Sequence, residues 1–349
     1  MPPHTTPQII DGTLEDADLS DAALAGTDFT GIRFRQVIFR NADLGTVDFT
    51  GADFQACDFT GANLAEANLM GATLAACILD QARLDGASLT TATMTGSSLN
   101  GASAEGADLS AVLLDQCSLN QAVLRNADLS LARINGCQLD GTDLSGANLE
   151  RFMALDTDLS KALFRDNTLD SAMLMKANLA GQRFPGCTLE LTLFVEADLQ
   201  GADFSNCTLQ DTQFAKSKLS GASLKGVNAN SVSFAMADLS AADLSDASFE
   251  MCDFSNATLN AARCTNSTFS TCPLVHMQAS DSVWDGASLK LCDLSHVVFD
   301  RASFRNGSLN ICNLHEMSED KTLWDGTTFN ETQRTNPERA QAENWAPPQ

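Results

Sequence analysis

The stretch that decides the fold is NADLG TVDFT GADFQ ACDFT GANLA EANLM, residues 41–70, written here in units of five. In every unit the second residue is small, the third is Asp or Asn, and the fourth is Leu or Phe. The same phase runs from Leu14 to Leu314 through 61 central positions without an insertion. Large apolar residues occupy all central positions except five, which are Ala104, Ala154, Ala229, Cys264 and Ala279.

A period of five residues fits neither an α-helix nor a flat β-strand. On a helix, five residues turn the chain by about 500°, so successive centres drift around the axis. On a flat strand, an odd period places successive centres on opposite faces. All centres can point inward only if the chain bends once per unit. Of the 22 glycines, 19 lie two residues after a centre, where a tight turn takes positive φ.

The spacing of the cysteines predicts how many bends close one coil. Ten of the eleven occupy the small position of a unit, and six pairs are 20 residues apart, for example Cys57 and Cys77. Twenty residues are four units, so we predict a four-sided coil in which like residues stack at about 4.8 Å. The chain then has about fifteen coils, and parallel crossovers favour a right-handed winding.

Two exchanges of size support an inward direction for both the small and the central positions. Phe152 takes a small position and its centre shrinks to Ala154, and Met277 is likewise followed by Ala279. A close-packed interior requires such compensation. The residue between the small and the central positions is therefore expected to point to solvent.

The units resemble the pentapeptide-repeat family, whose motif is A-[D/N]-L-x-x, over residues 12–314. Matching tripeptides include Ala17-Asp18-Leu19, Ala52-Asp53-Phe54, Ala62-Asn63-Leu64 and Ala127-Asp128-Leu129. The resemblance implies an all-β, right-handed quadrilateral parallel β-helix and a bacterial origin. It implies several functions, because some members are DNA-shaped inhibitors or protectors of type II topoisomerases. Others are secreted effectors or interaction modules of secretion machinery, and some repeat tracts lie beside type VI secretion adaptor domains.

The register sets the expected organisation of the chain. Residues 1–11 are expected to form an N-terminal cap, and residues 12–318 the pentapeptide-repeat β-helix. The phase fails at Glu319, so residues 319–349 are expected to form a degraded last coil and a polar tail. In that tail, Pro337 after Asn336 is typical of a helix start, and a short cap helix or disorder are the two alternatives.

Composition excludes several classes of function. The 45 acidic and 21 basic side chains give a formal net charge of -24, which argues against direct binding to nucleic-acid phosphates. The longest apolar runs are a few residues, so we expect no membrane insertion. The N-terminus lacks the features of a secretory signal. We expect a cytoplasmic bacterial protein, or one exported by a signal-peptide-independent secretion system.

No catalytic motif is recognisable, because the sequence lacks a Gly-rich phosphate loop, an H-E-x-x-H motif and a nucleophile elbow. We therefore expect no enzyme, no cofactor and no metal. The histidines leave an alternative, since His276 and His296 should stack at one corner with Glu316 next and His315 nearby. Such groups can bind a divalent metal, whereas surface corners tolerate any polar residue. The cysteines are expected to be reduced structural thiols.

Acidic residues dominate the first third of the chain. Across residues 41–124 there are ten acids and one base, Arg83. Regular negative charge can mimic duplex DNA and occupy a basic protein channel. The plainer interpretation is that Asp is the usual outward residue and keeps the coils soluble. The predicted acidic face consists of Asp43, Asp48, Asp53, Asp58, Asp80, Asp85, Asp108 and Asp115.

Apolar residues occupy outward positions over residues 113–195. With 20 residues per coil, they fall in neighbouring columns, which is typical of a partner surface. Scattered exposed apolar residues are the plainer interpretation. The predicted apolar patch consists of Leu113, Leu131, Met153, Leu155, Met173, Met175, Leu191, Leu193 and Val195.

Taken together, these features predict a non-enzymatic bacterial scaffold for protein–protein interaction, which presents flat β-helix faces. Secretion or effector delivery is one setting. The alternative is an acidic DNA mimic that binds and modulates or protects DNA gyrase or another topoisomerase. The sequence does not identify the partner protein, and a homodimer is the simplest form of partner.

Overall fold

The computed structural model describes residues 9–184, 186–343 and 345. The chain is an all-β parallel solenoid, in which residues of the described ranges that pair in parallel are 20 positions apart. Phe34 pairs with Phe54, and Leu209 pairs with Ala229. The predicted fold class and its 20-residue register are therefore confirmed.

A β-turn closes each corner of a coil. The N–H of Ala42 donates to the carbonyl of Phe39 at 3.0 Å, and Asn41 between them has a φ of 53°. All 19 glycines predicted at this turn position have φ between 57° and 72°. Many other residues adopt the same conformation, which costs about 1–2 kcal/mol per residue. Glycine is thus favoured at the corner, but the corner does not depend on it.

Hydrogen bonds between coils hold the register on both sides of each unit. The N–H of Leu44 donates to the carbonyl of Asn63 in the next coil at 2.8 Å. The N–H of Asp43 donates to the carbonyl of Ala22 in the preceding coil at 2.9 Å. Because the backbone polar groups bond from coil to coil, the interior can be filled by apolar side chains alone.

The chain divides into two compact units, Met1–Met173 and Leu174–Gln349, each with one eight-stranded parallel sheet. The strands of unit 1 are β1 (Thr13–Glu15), β2 (Arg33–Arg35), β3 (Asp53–Gln55), β4 (Thr73–Ala75), β5 (Thr93–Thr95), β6 (Leu113–Asp115), β7 (Arg133–Asn135) and β8 (Met153–Ala154). The strands of unit 2 are β9 (Thr188–Glu190), β10 (Thr208–Gln210), β11 (Asn228–Asn230), β12 (Ser248–Glu250), β13 (Thr268–Ser270), β14 (Ser288–Lys290), β15 (Ser308–Asn310) and β16 (Thr328–Asn330). The other sides of the coils are joined by isolated parallel bridges in the same register.

The central and small residues fill the interior of each unit. In unit 1, Phe34 and Phe54 are fully buried, and their rings stack with centroids 4.8 Å apart. Such aromatic pairs add about 0.5–1.5 kcal/mol beyond their area burial. Both predicted size exchanges lie inside, since Phe152, Ala154, Met277 and Ala279 are each at most 1% exposed.

The end of unit 2 carries a helix, α1 (Pro337–Glu343), which begins at the proline that the sequence marks. The side chain of Asn336 accepts hydrogen bonds from the N–H groups of Glu338 at 2.9 Å and Arg339 at 3.1 Å, so it acts as an N-cap. No helix within the described ranges is long and apolar enough to cross a membrane.

The last strand of unit 2, β16, is open to solvent, because all three of its residues are exposed. At the other end, residues 1–8 of the predicted N-terminal cap lie outside the described residues. Of the cap residues that the structure describes, Ile9 is 48% and Ile10 is 67% exposed. Neither isoleucine is therefore buried against the other residues of unit 1.

Candidate functional site

The predicted apolar patch falls in both units, and its two parts are described separately. In unit 1 it comprises Leu113, Leu131, Met153, Leu155 and Met173. Leu131 is 46% and Met173 is 36% exposed, and the other three are half-buried. Arg133 pairs with Leu113 on one side and Met153 on the other. Leu113, Arg133, Met153 and Met173 thus follow one another in a single column. This column is apolar apart from Arg133.

In unit 2 the patch comprises Met175, Leu191, Leu193 and Val195. Leu191 is 50% exposed, and the other three are half-buried. The corner column of Leu191 also contains Met251, Leu291 and Ile311, which are 50%, 46% and 43% exposed. Asp211, Ser231 and Thr271 lie between these apolar residues. A surface groove of about 220 Å³ lies beside Leu291 and Ile311. One corner of unit 2 thus presents several apolar side chains interrupted by polar ones.

The corner residues of the patch are in an unfavourable backbone conformation. Leu131 has a φ of 60° and Leu191 a φ of 55°, a region that glycine adopts at no steric cost. A large exposed apolar side chain there gains little burial within its own unit. Most other corners of both units share this conformation, so it does not by itself mark a site. The exposure of Leu131 and Leu191 makes these two leucines the part of the patch that most needs an explanation.

The eight residues of the predicted acidic face do not lie on one side of unit 1. Asp48 and Asp108 share one bridged column, whereas Asp53 and Asp115 lie in β3 and β6. The remaining four divide between the other two sides, because the register repeats every 20 residues. The carboxylates form a band around the coils instead of a continuous face.

These carboxylates are engaged in hydrogen bonds. Asp48 accepts from the N–H and hydroxyl of Thr50 at 2.9 and 2.6 Å. Asp58 accepts from the same groups of Thr60 and from Arg40 at 2.6 Å. Partial burial of Asp58 opposes its ionisation, but the bonds from Thr60 and Arg40 outweigh that effect, so the pKa of Asp58 is lowered. The outward Asp therefore has a structural role at the corner.

The same bond recurs in both units and follows a short sequence pattern that was not among the predictions. Asp128 accepts from the N–H of Ser130 at 2.9 Å, and Asp243 from the N–H of Ser245 at 2.9 Å. The pattern is Asp-x-Ser or Asp-x-Thr across a centre, and it forms the Asx turn expected of Asp. This pattern explains why acidic residues accumulate without any need for a basic partner.

Histidines and glutamates meet at the end of unit 2. Nε2 of His315 lies 3.1 Å and Nε2 of His296 lies 3.2 Å from Oε2 of Glu343. Nδ1 of His296 lies 3.5 Å from Oε2 of Glu316. One ligand atom from each of these four residues lies within 4.8 Å of the others. The sequence had placed three of the four together.

Two features of this histidine–glutamate cluster (His296, His315, Glu316 and Glu343) differ from the sequence expectation. Glu343 joins through α1, and hydrogen bonds from Arg339 and then His315 lower the pKa of Glu343. His276 is not a member; its ring stacks on that of His296 with centroids 4.6 Å apart. Arg339 and Glu343 are four residues apart, the spacing at which oppositely charged side chains pair on a helix. This spacing is the sequence feature that could have placed Glu343 in a helix.

The cysteines line the interior. Ten of the eleven are buried free thiols, and Cys187 is half-buried. The thiol of Cys207 donates to the carbonyl of Phe184 at 2.8 Å, and burial raises the pKa of Cys207 to about 12. The Cys207 thiol is therefore protonated at neutral pH and a poor nucleophile.

The sequence matches two family models of known proteins, and both models describe the repeats. A family model described as "Pentapeptide repeat region" matches residues 47–124 and 157–234. A second, "Pentapeptide repeats (8 copies)", matches residues 17–55, 107–146 and 237–272. No curated protein matches this chain at a significant level.

Several solved structures are similar to this chain. HetL, a pentapeptide repeat protein involved in heterocyst differentiation regulation from the cyanobacterium Nostoc sp. Strain PCC 7120, is 25% identical over 70% of this chain and 87% of that chain, with a TM-score of 0.31. Full-length QnrB1, a plasmid-mediated fluoroquinolone resistance protein, is 18% identical over 63% of this chain and 92% of that chain, with a TM-score of 0.24. TM-scores this low carry no argument about function. The two repeat models match more than half of the sequence, and the chain therefore belongs to the pentapeptide-repeat family.

Proposed function

We propose that this protein is a non-enzymatic protein-binding scaffold that contacts partners through the exposed apolar residues of the patch in each unit. The observation that carries the proposal is the exposure of the Leu131 and Leu191 side chains to solvent. Both are large apolar side chains of the patch, 46% and 50% exposed. Contact with a partner would bury them, at about 25 cal/mol for each Å² of apolar surface removed from water.

The partner we expect is a different protein with a basic rim around its apolar contact surface. Each copy of this chain carries a formal charge of -24, so a second copy brings like charge to the interface. Opposite charge steers association and raises its rate. A homodimer, the simplest partner inferred from the sequence, is an outcome that the test below detects.

The acidic band favours solubility over DNA mimicry as its role. Duplex DNA presents free phosphates, whereas Asp48 and Asp58 of this band accept hydrogen bonds from their own coils. The Arg40 guanidinium also neutralises Asp58. These contacts support the plainer interpretation of the acidic residues.

We expect Leu131→Asp combined with Leu191→Asp to weaken partner binding by about 10-fold or more, the loss that 1.4 kcal/mol produces. Asp tolerates positive φ better than most residues, so both units should keep their thermal stability. The partner is captured with the wild-type chain from the native host, and its affinity for each variant is then measured by calorimetry. A partner from secretion machinery would support the setting implied by the family resemblance.

The matched control is Met70→Asp combined with Met236→Asp. These methionines are 45% and 58% exposed and lie outside the patch, so their replacement should leave binding unchanged. Equal affinity of the patch variant and the wild type would exclude the patch as the contact surface. If sedimentation instead shows a wild-type dimer that the patch variant loses, the occupant is a second copy and not a different protein.

A further inference from the structure

We infer that His296, His315 and Glu343 form a binding site for a divalent transition-metal ion of the zinc class at the end of unit 2, with Glu316 orienting His296. This site is separate from the apolar patch, and neither proposal depends on the other. It is built from a corner of one coil, the corner of the next coil and helix α1.

The spacing of the donor atoms suits an ion between them. Ligands at about 2.0–2.1 Å from a tetrahedral zinc ion are roughly 3.4 Å from each other. Oε2 of Glu343 lies 3.1 Å from Nε2 of His315 and 3.2 Å from Nε2 of His296. One ligand atom of each residue lies within 4.8 Å of the others, so small side-chain movements would place all three donors in one coordination shell. Water would complete the fourth position.

The outer contacts of the site resemble those that position metal ligands elsewhere. Nδ1 of His296 faces Oε2 of Glu316 at 3.5 Å, so Nδ1 can carry the ring proton and leave Nε2 for the ion. A carboxylate behind a ligating histidine fixes the tautomer and raises the basicity of the ring. Oε1 of Glu343 accepts from Nε of Arg339 at 2.6 Å, which leaves Oε2 directed at the imidazoles.

The donor set selects the class of ion. Two imidazoles and one carboxylate suit zinc and its neighbours in the first transition row, whereas magnesium and calcium prefer oxygen donors. The carboxylates of Glu316 and Glu343 supply two negative charges beside a dication. His315 is 1% exposed, so one ligand is already removed from competing water.

One contact must change when the ion binds. Nδ1 of His315 accepts the N–H of Asn336 at 3.2 Å, so in the metal-free protein its ring proton lies on Nε2, towards Glu343. The ion takes the place of that proton, the ring becomes protonated at Nδ1, and the N–H of Asn336 gives up this acceptor. Metal binding is thus coupled to the first turn of α1.

The test is titration of the full-length protein with Zn²⁺ by calorimetry, and with Co²⁺ by visible absorption. We expect one ion per chain and the ligand-field bands of four-coordinate Co²⁺. His296→Ala and Glu343→Gln should each weaken binding by about 100-fold or more, beyond the roughly 10- to 100-fold that loss of an outer partner such as Glu316 costs. Glu343 is exposed and His296 is half-buried at a corner, so neither change empties the core and circular dichroism should show an unchanged fold.

His276→Ala is the matched control, because it removes an imidazole stacked on His296 that is not among the proposed ligands. Its affinity for Zn²⁺ should equal that of the wild type. Absence of one-to-one binding would overturn the proposal, as would equal affinity of wild type, His296→Ala and Glu343→Gln. A thiolate-to-cobalt charge-transfer band would also overturn it, since the ion would then be bound by cysteines.

Discussion

Replacement of Leu174 by Asp is expected to unfold unit 2, whereas Met175→Asp one position away should leave it folded. Leu174 is fully buried, and its N–H donates to the carbonyl of Leu193 at 2.8 Å. An unpaired carboxylate at that position costs several kcal/mol. A whole domain has about 5–15 kcal/mol of stability, and neighbouring coils depend on one another for their interfaces.

The difference in stability between the two variants is measured by thermal unfolding, monitored with circular dichroism. The Met175→Asp variant is the control because that side chain is half-buried at an outward position. A Leu174→Asp chain that melts like the wild type would show that the inward phase has been assigned to the wrong residues.

Replacement of Phe152 by Ala is expected to destabilise unit 1 by about 3–5 kcal/mol, the cost of emptying a large aromatic site in a core. The effect should be at the upper end because the adjacent centre, Ala154, is itself small and fully buried. No neighbouring side chain of the same repeat is large enough to fill the space. Urea denaturation gives the change in the free energy of unfolding.

A double-mutant cycle separates size compensation from simple burial. Ala154→Phe alone should overfill the core at a cost of about 1–3 kcal/mol. Combined with Phe152→Ala, it restores the ordinary order of small residue and large centre. The double variant should therefore be more stable than either single variant, with a coupling energy of about 1 kcal/mol or more. Additive losses would mean that the two side chains do not share one space.

The fold could be predicted because one physical condition is repeated at every unit. An apolar residue such as Phe54 can stay inside at a period of five only if the chain turns each time. The pair Cys57 and Cys77 then sets four turns per coil, and the structure confirms the register. The sequence did not indicate which side would form strands. These are centred on Leu14 in unit 1 and on Leu189 in unit 2.

The candidate sites could be predicted only in part, because their chemistry depends on contacts outside the repeat. Outward directions followed from the phase, and Leu131 and Leu191 are indeed exposed. The ion pair of Asp58 with Arg40 was not foreseen, because Arg40 lies 18 residues earlier. Glu343 lies beyond the regular repeats, and only the folding of α1 against His315 brings it into the cluster.

The most direct measurement of the central claim is disulfide formation between cysteines introduced at neighbouring corners. The N–H of Lys216 donates to the carbonyl of Ala235 at 2.9 Å, which places Met236 beside Lys216 in the next coil. Stacked corners at about 4.8 Å fall within the Cα range of a disulfide, about 4.4–6.8 Å. Lys216→Cys with Met236→Cys should therefore link on mild oxidation, as detected by mass spectrometry of the joined peptides. Linkage of Lys216→Cys to Ala241→Cys instead, five residues further along, would contradict a square coil of 20 residues.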